Sequence, residues 1–270
     1  MRTAEPTDTL GDLVVKDPRR ARLFEQLRLE YCCGGQRTLE EACAQRGLDP
    51  ETVVAVLNGL HEDATAASAH GYDVGRASIT ELCDHIVQAH HDRLREELPH
   101  TSDLLSTVVR VHGEGRPELH DLRRLFAGMR LDLEGHLEIE EQTLFPACRA
   151  LSSAHGADGF DEALLVLHEA EHEAVGDALA ALRELTGGYR TEHALCATHR
   201  ALLQSLREIE ADLHQHVHEE NNVLFPRVRE RLRALAVDVA GGRRIRAGPR
   251  SGPTDVLRWP DGRPGARWPI

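Results

Sequence analysis

Lysine is all but absent from this chain of 270 residues: Lys16 stands alone, and arginine carries the rest of the side-chain positive charge. That bias fits the codon usage of a GC-rich genome and carries no functional message. Aromatic residues make up only 4% of the chain, and Leu, Ala and Val dominate its apolar positions, which points to packed aliphatic helix faces rather than a sandwich. A basic excess is missing too. With 32 basic and 45 acidic residues the net charge is −13, which argues against a nucleic-acid groove. No apolar run approaches the ~20 residues that span a bilayer, and Met1 to Val15 holds no continuous apolar segment of signal-peptide type. A soluble, cytoplasmic protein is expected. Six cysteines lack framework spacing, as in a reducing compartment. Histidine is missing from the first 60 residues, yet 17 follow, so the chain has two chemically distinct parts.

Residues 1–65 read as a small helical domain. Thr9 can cap a short turn from Leu10 to Val15. Asp17-Pro18 opens a helix to about Leu29, with Leu23, Phe24 and Leu27 inward. Thr38-x-x-Glu41 is a capping box for a helix that stops at Gly47, and Asp49-Pro50 starts a fourth with Val53, Val54, Val56, Leu57 and Leu60 apolar. Residues 66–78, rich in small residues and glycine, read as a linker. Residues 79–236 carry four amphipathic segments, at about 79–98, 118–150, 160–186 and 192–235. Breaks are expected at Pro99, Gly113–Pro117, Ser152–Gly159 and Gly187-Gly188. The expected fold is all-α: an up-and-down four-helix bundle behind a small helical domain. Residues 237–270 form an Arg-, Pro- and Gly-rich tail expected to be mobile; Trp259 and Trp268 in it are candidate docking groups.

One phrase occurs twice. His136-x-x-x-Glu140 followed by Leu144-Phe145-Pro146 returns as His216-x-x-x-Glu220 followed by Leu224-Phe225-Pro226, 80 positions on. Positions i and i+4 share a helix face, about 6 Å apart along the axis, so imidazole and carboxylate can converge on one cation. A single such pair is usually a surface pair. Here the other two segments supply His91 and His172 at almost the same offset, 81. The expected metal ligands are therefore His91, His136, Glu140, His172, His216 and Glu220, one set from each half of a duplication. Imidazole with carboxylate suits Fe, Mn or Zn, and nitrogen-rich ligation with open positions favours redox-active iron. Bridging carboxylates would hold two ions about 3.5–4 Å apart. Glu141, Glu171 and Asp84 are candidate acceptors for the other imidazole N–H groups, with surface solvation as the plainer role. His168 shares the face of His172, whereas His214 and His218 point away from that of His216. Leu-Phe-Pro would seal an apolar floor beyond each carboxylate.

Cys32 and Cys33, on a turn with Gly34 and Gly35, are candidate redox or iron-transfer thiols, since adjacent cysteines strain a disulfide. Two small buried residues would fit the same turn. Cys43, Cys83, Cys148 and Cys196 fall on helix patterns and should pack as small hydrophobes.

These residues together resemble the iron–sulfur cluster repair di-iron proteins, the repair-of-iron-centres family of the hemerythrin-like group. The N-terminal likeness runs through Leu10-Gly-Asp-Leu13, Pro18-Arg19, Phe24, Glu30-Tyr-Cys-Cys-Gly-Gly35 and Thr38-Leu39. It continues through Asp84-His85-Ile86, His91 to Pro99, His136 to Pro146, Glu171-His172-Glu173 and His216 to Pro226, about 220 residues in all. The resemblance implies a hemerythrin-like bundle holding two iron ions on the six residues above, and repair of clusters damaged by nitric oxide or oxidative stress. Reduction of nitric oxide to nitrous oxide by some members is also implied. The implied partners are damaged iron–sulfur proteins, nitric oxide or oxygen, an electron donor and, as a candidate assembly, a second copy in a homodimer. The alternative is a hemerythrin-like protein that binds or senses oxygen or nitric oxide without turnover. Such carriers usually have a further histidine ligand, so His90 or His168 would have to join the site. His90 itself departs from the aromatic residue expected before the first ligand.

Overall fold

The computed structural model describes residues 3–62, 72–152 and 160–240. Among these every regular element is a helix, apart from one isolated bridge between Thr9 and Thr38. The N-terminal part holds α1 (Leu10–Lys16), α2 (Arg20–Leu27), α3 (Leu39–Arg46) and α4 (Pro50–Glu62). Thr9 caps α1, Thr38 and Glu41 form the capping box of α3, and Gly47 ends α3 at φ 66°. Asp17 does not open α2: it closes α1 and chelates the Arg19 guanidinium at 2.8 Å, so α2 begins after the turn. The α2 helix stops at Arg28, in the left-handed region, short of Leu29. Val53 and Leu57 are buried in α4, but Val56 is exposed.

The bundle consists of four long helices, three of them composite. The first joins α5 (Ile79–Ile86), a π turn (Val87–His91) and α6 (Asp92–His112). The second joins α7 (Glu118–Ile139), a π turn (Glu140–Leu144) and α8 (Phe145–Ala150). The third is α9 (Ala163–Leu185), and the fourth joins α10 (Ala197–Glu219), a π turn (Glu220–Leu224) and α11 (Phe225–Ala240). Pro99 does not break the first helix, which runs on to His112. Leu94, Leu98, Leu105 and Val108 are buried on both sides of it, and their packing outweighs a helix-interior proline cost of about 3 kcal/mol. Pro146 and Pro226 are each the second residue after a π turn, and neither interrupts its helix.

Capping by Ser78 and Glu81 starts the first bundle helix. Of the expected linker, residues 66–71 lie outside the described part, as do residues 241–270 with Trp259 and Trp268. Residues 72–78 pack on the bundle instead of spanning freely: the Arg227 guanidinium donates to the carbonyls of Val74, Gly75 and Ala77.

Two apolar layers fill the bundle. One runs from Leu94 and Leu98 to Phe126, Leu133, Leu179 and Leu206, the other gathers Leu82, Ile86, Leu144, Phe145, Leu165, Leu224 and Phe225. A polar layer lies between them.

Candidate metal centre

That layer is built from the six residues of the repeated pattern. None of His91, His136, Glu140, His172, His216 and Glu220 is more than 4% exposed. His91, Glu140 and Glu220 sit at the edges of the three π turns, each of which adds a residue and re-aims the side chains around it. The donors fall into two sets that share both carboxylates: His91 and His216 with Glu140 and Glu220, and His136 and His172 with the same pair. Each set takes one histidine from each half of the duplication. The first helix packs on the fourth and the second on the third, besides the first on the second, which leaves histidines of different halves within reach of each other.

Glu140 lies 3.0 Å from His136 Nε2 and 3.3 Å from His91 Nε2; Glu220 lies 3.0 Å from His172 Nε2 and 3.4 Å from His216 Nε2. His91 and His216 bring their Nε2 atoms to 3.2 Å, as do His136 and His172. Outside the layer, His91 Nδ1 meets Glu141 at 2.7 Å, His136 Nδ1 meets Glu171 at 2.8 Å, and His172 Nδ1 meets Asn221 at 2.9 Å. Donation outward at Nδ1 leaves an Nε2 lone pair facing inward, toward carboxylates that are themselves acceptors. All four oxygens of Glu140 and Glu220 are buried without a hydrogen-bond partner. Desolvating two adjacent carboxylates costs several kcal/mol each unless positive charge lies between them. The donor set therefore fits two cations.

Burial disfavours a charged imidazole at all four histidines, and the carboxylates oppose it. The carboxylates prevail at His91, His136 and His172, whereas burial prevails at His216 and pushes it down. His216 is also the one whose Nδ1 has no partner. The residue matching Glu171 across the duplication is His90, and its ring stacks on His216 at 5.4 Å instead of accepting from it.

Of the candidate acceptors, Glu141 and Glu171 reach ligand histidines, but Asp84 does not: it is exposed and pairs with Arg149 at 2.7 Å. Asn221 went unforeseen, although it stands 80 positions after Glu141 and the repeat could have revealed it. His168 donates its Nδ1–H to the Leu164 carbonyl at 2.7 Å, and neither His168 nor His90 joins either four-donor set. Phe145 stacks on His91 and Phe225 on His172, so the repeated Leu-Phe-Pro walls the layer as well as sealing it. Cys43, Cys83 and Cys148 are buried, but Cys196 is partly exposed and caps α10, accepting from the His199 amide.

Cys32 and Cys33 remain free thiols beside this centre. The Asn222 amide, on the π turn that carries Glu220, donates to the carbonyls of Tyr31 (3.2 Å) and Cys32 (2.8 Å). Tyr31 is buried and meets His218 edge-on at 5.4 Å. A Cβ on Gly35 would lie 2.2 Å from Asn222 Oδ1 and 2.6 Å from the Tyr31 carbonyl, so only glycine allows this approach. A hydrogen bond from Cys32 holds the Cys33 thiol below its ordinary range against burial, and the same bond pushes Cys32 up. Sequence spacing gave no sign that His218 and Asn222 form this junction.

Comparison with known proteins agrees with both parts. Residues 83–234 match the family described as Hemerythrin HHE cation binding domain, and residues 6–61 match a domain described as of unknown function (DUF542). Proteins named iron-sulfur cluster repair protein YtfE, from Yersinia pestis (strain Pestoides F) and Yersinia pseudotuberculosis serotype O:1b (strain IP 31758), are each 34% identical over 219 residues. The match spans 81% of this chain and 95% of each relative. The chain belongs to the iron–sulfur cluster repair family, within the hemerythrin group. Among the described residues of this family member, no helix is long and apolar enough to cross a membrane.

Proposed function

We propose that this chain is a di-iron protein that repairs iron–sulfur clusters damaged by nitric oxide or oxidative stress. The observation that carries the reading is the pair of fully buried carboxylates, Glu140 and Glu220, with all four oxygens unpartnered among four imidazoles. The relatives named for cluster repair, matched across both parts of the chain, supply the process. Iron held there would supply redox chemistry and positions for a diatomic gas, and reduction of nitric oxide to nitrous oxide is the activity such a pair would support.

The protein's own residues set the conditions. Glu140 and Glu220 would fix the spacing of the two ions, being common to both donor sets. Glu141, Glu171 and Asn221 hold three imidazoles in one tautomer, which keeps the donors aimed while charge changes. The apolar layers on either side exclude water. In this reading Cys32 and Cys33 pass electrons or iron between the centre and a damaged client, and Cys33, partly exposed and the more acidic, meets the client first. A carrier without turnover is the weaker reading, since His90 and His168 both stand outside the donor sets.

The test is reactivation of a nitrosylated [4Fe–4S] enzyme by the reduced, anaerobically iron-loaded chain. Recovery that needs Glu140 and Glu220 supports repair. Absence of recovery, together with no consumption of nitric oxide, overturns it.

A further inference from the structure

A second cluster lies on the outer side of His216. We propose that His85, His90 and Glu219 form a third, mononuclear site for a divalent first-row transition metal ion. His85 Nε2 lies 3.4 Å and His90 Nε2 3.6 Å from the same atom, Glu219 Oε2. Donor atoms bound at about 2.1 Å to one tetrahedral ion stand about 3.4 Å apart. His90 Nε2 and Glu219 Oε2 are both buried without a hydrogen-bond partner, in residues no more than 5% exposed. One donor atom from each of His85, His90 and Glu219 lies within 4.8 Å of the other two.

The surroundings orient these donors as a metal site requires. Asp212 holds His90 Nδ1 at 3.2 Å, a carboxylate–imidazole pair that turns Nε2 toward the cluster. Gln215 donates to the other oxygen of Glu219 at 2.9 Å, leaving Oε2 free. Tyr72 stacks on His85 at 3.9 Å and fixes its ring. Two imidazoles and one carboxylate suit Zn²⁺ or Fe²⁺ and disfavour Ca²⁺ and Mg²⁺, which take oxygen donors. His85 is partly exposed, so water can complete the coordination.

The cluster is not a by-product of the duplication. The positions matching His85 and Glu219 in the other half are Val166 and Ile139, which cannot bind metal. It also differs in kind from the paired centre, because solvent reaches one of its ligands.

Cobalt(II) is the probe. The full chain, stripped of metal anaerobically, is titrated with Co²⁺ while bound metal and d–d absorption are followed, with circular dichroism confirming the fold. The wild type is expected to bind one Co²⁺ more than His85→Ala and than His85→Ala/Glu219→Gln, the remaining ions binding unchanged. Equal saturation with unchanged affinities in all three proteins would overturn the site. The difference of one ion is read separately from the total, so a failed paired centre lowers every total and leaves the difference intact.

Discussion

The two halves of the bundle supply equal donors and unequal surroundings. In the second half, His218 and Asn222 project from the back of the ligand-bearing turn and hold the Cys-Cys-Gly-Gly loop. Their counterparts in the first half, Glu138 and Gln142, only bond each other on the exposed surface, at 2.9 Å. Around the imidazoles the same divergence appears: His136 has the carboxylate of Glu171, and His216 has the ring of His90. The duplication thus kept three inward donors in each half. The outward faces were left to specialise: the back of the second half's turn docks the thiol loop, while the matching positions of the first half face solvent.

Breaking what the halves share should have the largest effect. Glu140→Gln and Glu220→Gln are each expected to lose both ions rather than one, because each carboxylate serves both donor sets. Elemental analysis after anaerobic loading would read below about half an iron per chain in either variant, if coordination follows the shared geometry. Retention of one tightly held ion would mean that the carboxylates do not bridge.

The next effect separates the outward faces. Burial pushes His218 down to about 4, against an ordinary value of 6.5. Its folded value is depressed, so the unfolded state takes the proton first as pH falls. The stability loss therefore begins near pH 6.5 and is complete near pH 4, on the order of 3 kcal/mol. Protease sensitivity of the metal-free chain around Tyr31 should rise across that window. His218→Asn should flatten the rise, whereas substitution of exposed Glu138 should not change it.

How far the sequence carried this picture follows from the same division. The donors were legible because a helix imposes i, i+4 spacing and the duplication repeated it, so His136 with Glu140 and His216 with Glu220 needed no tertiary knowledge. Helix starts at Thr9, Thr38 and Pro50 were legible through local capping chemistry. Pro99 misled, because burial of Leu98 and Leu105 outweighs a local penalty that sequence alone displays. The junction was hidden: Asn222 meets the Cys32 carbonyl across 190 positions, and no periodicity relates them. Pairing of the two donor sets was hidden for the same reason, since it depends on which helices are neighbours.

A smaller effect belongs to the imidazole partners. Glu171→Ala removes the acceptor of His136 Nδ1 and should weaken iron at the His136–His172 position about 10- to 100-fold. Chelator competition would then release one ion early and one late. Simultaneous release of both would show that the carboxylate bridge, and not imidazole orientation, limits dissociation.

The smallest effect concerns Asn221. Its counterpart Glu141 is a carboxylate whose charge is offset by Arg95 at 2.7 Å. The position matching Arg95 is Gly176, where an added side chain would meet open space. The neutral amide at 221 is thus consistent with the missing guanidinium. Asn221→Asp alone would leave a carboxylate with no such partner, and the gain in His172 basicity would be offset by its desolvation. Asn221→Asp combined with Gly176→Arg rebuilds the arrangement of the first half and should slow iron release a few-fold relative to the single variant. Equal release rates in the single and double variants would show that the two halves tolerate either acceptor, and that only the donors are held by the duplication.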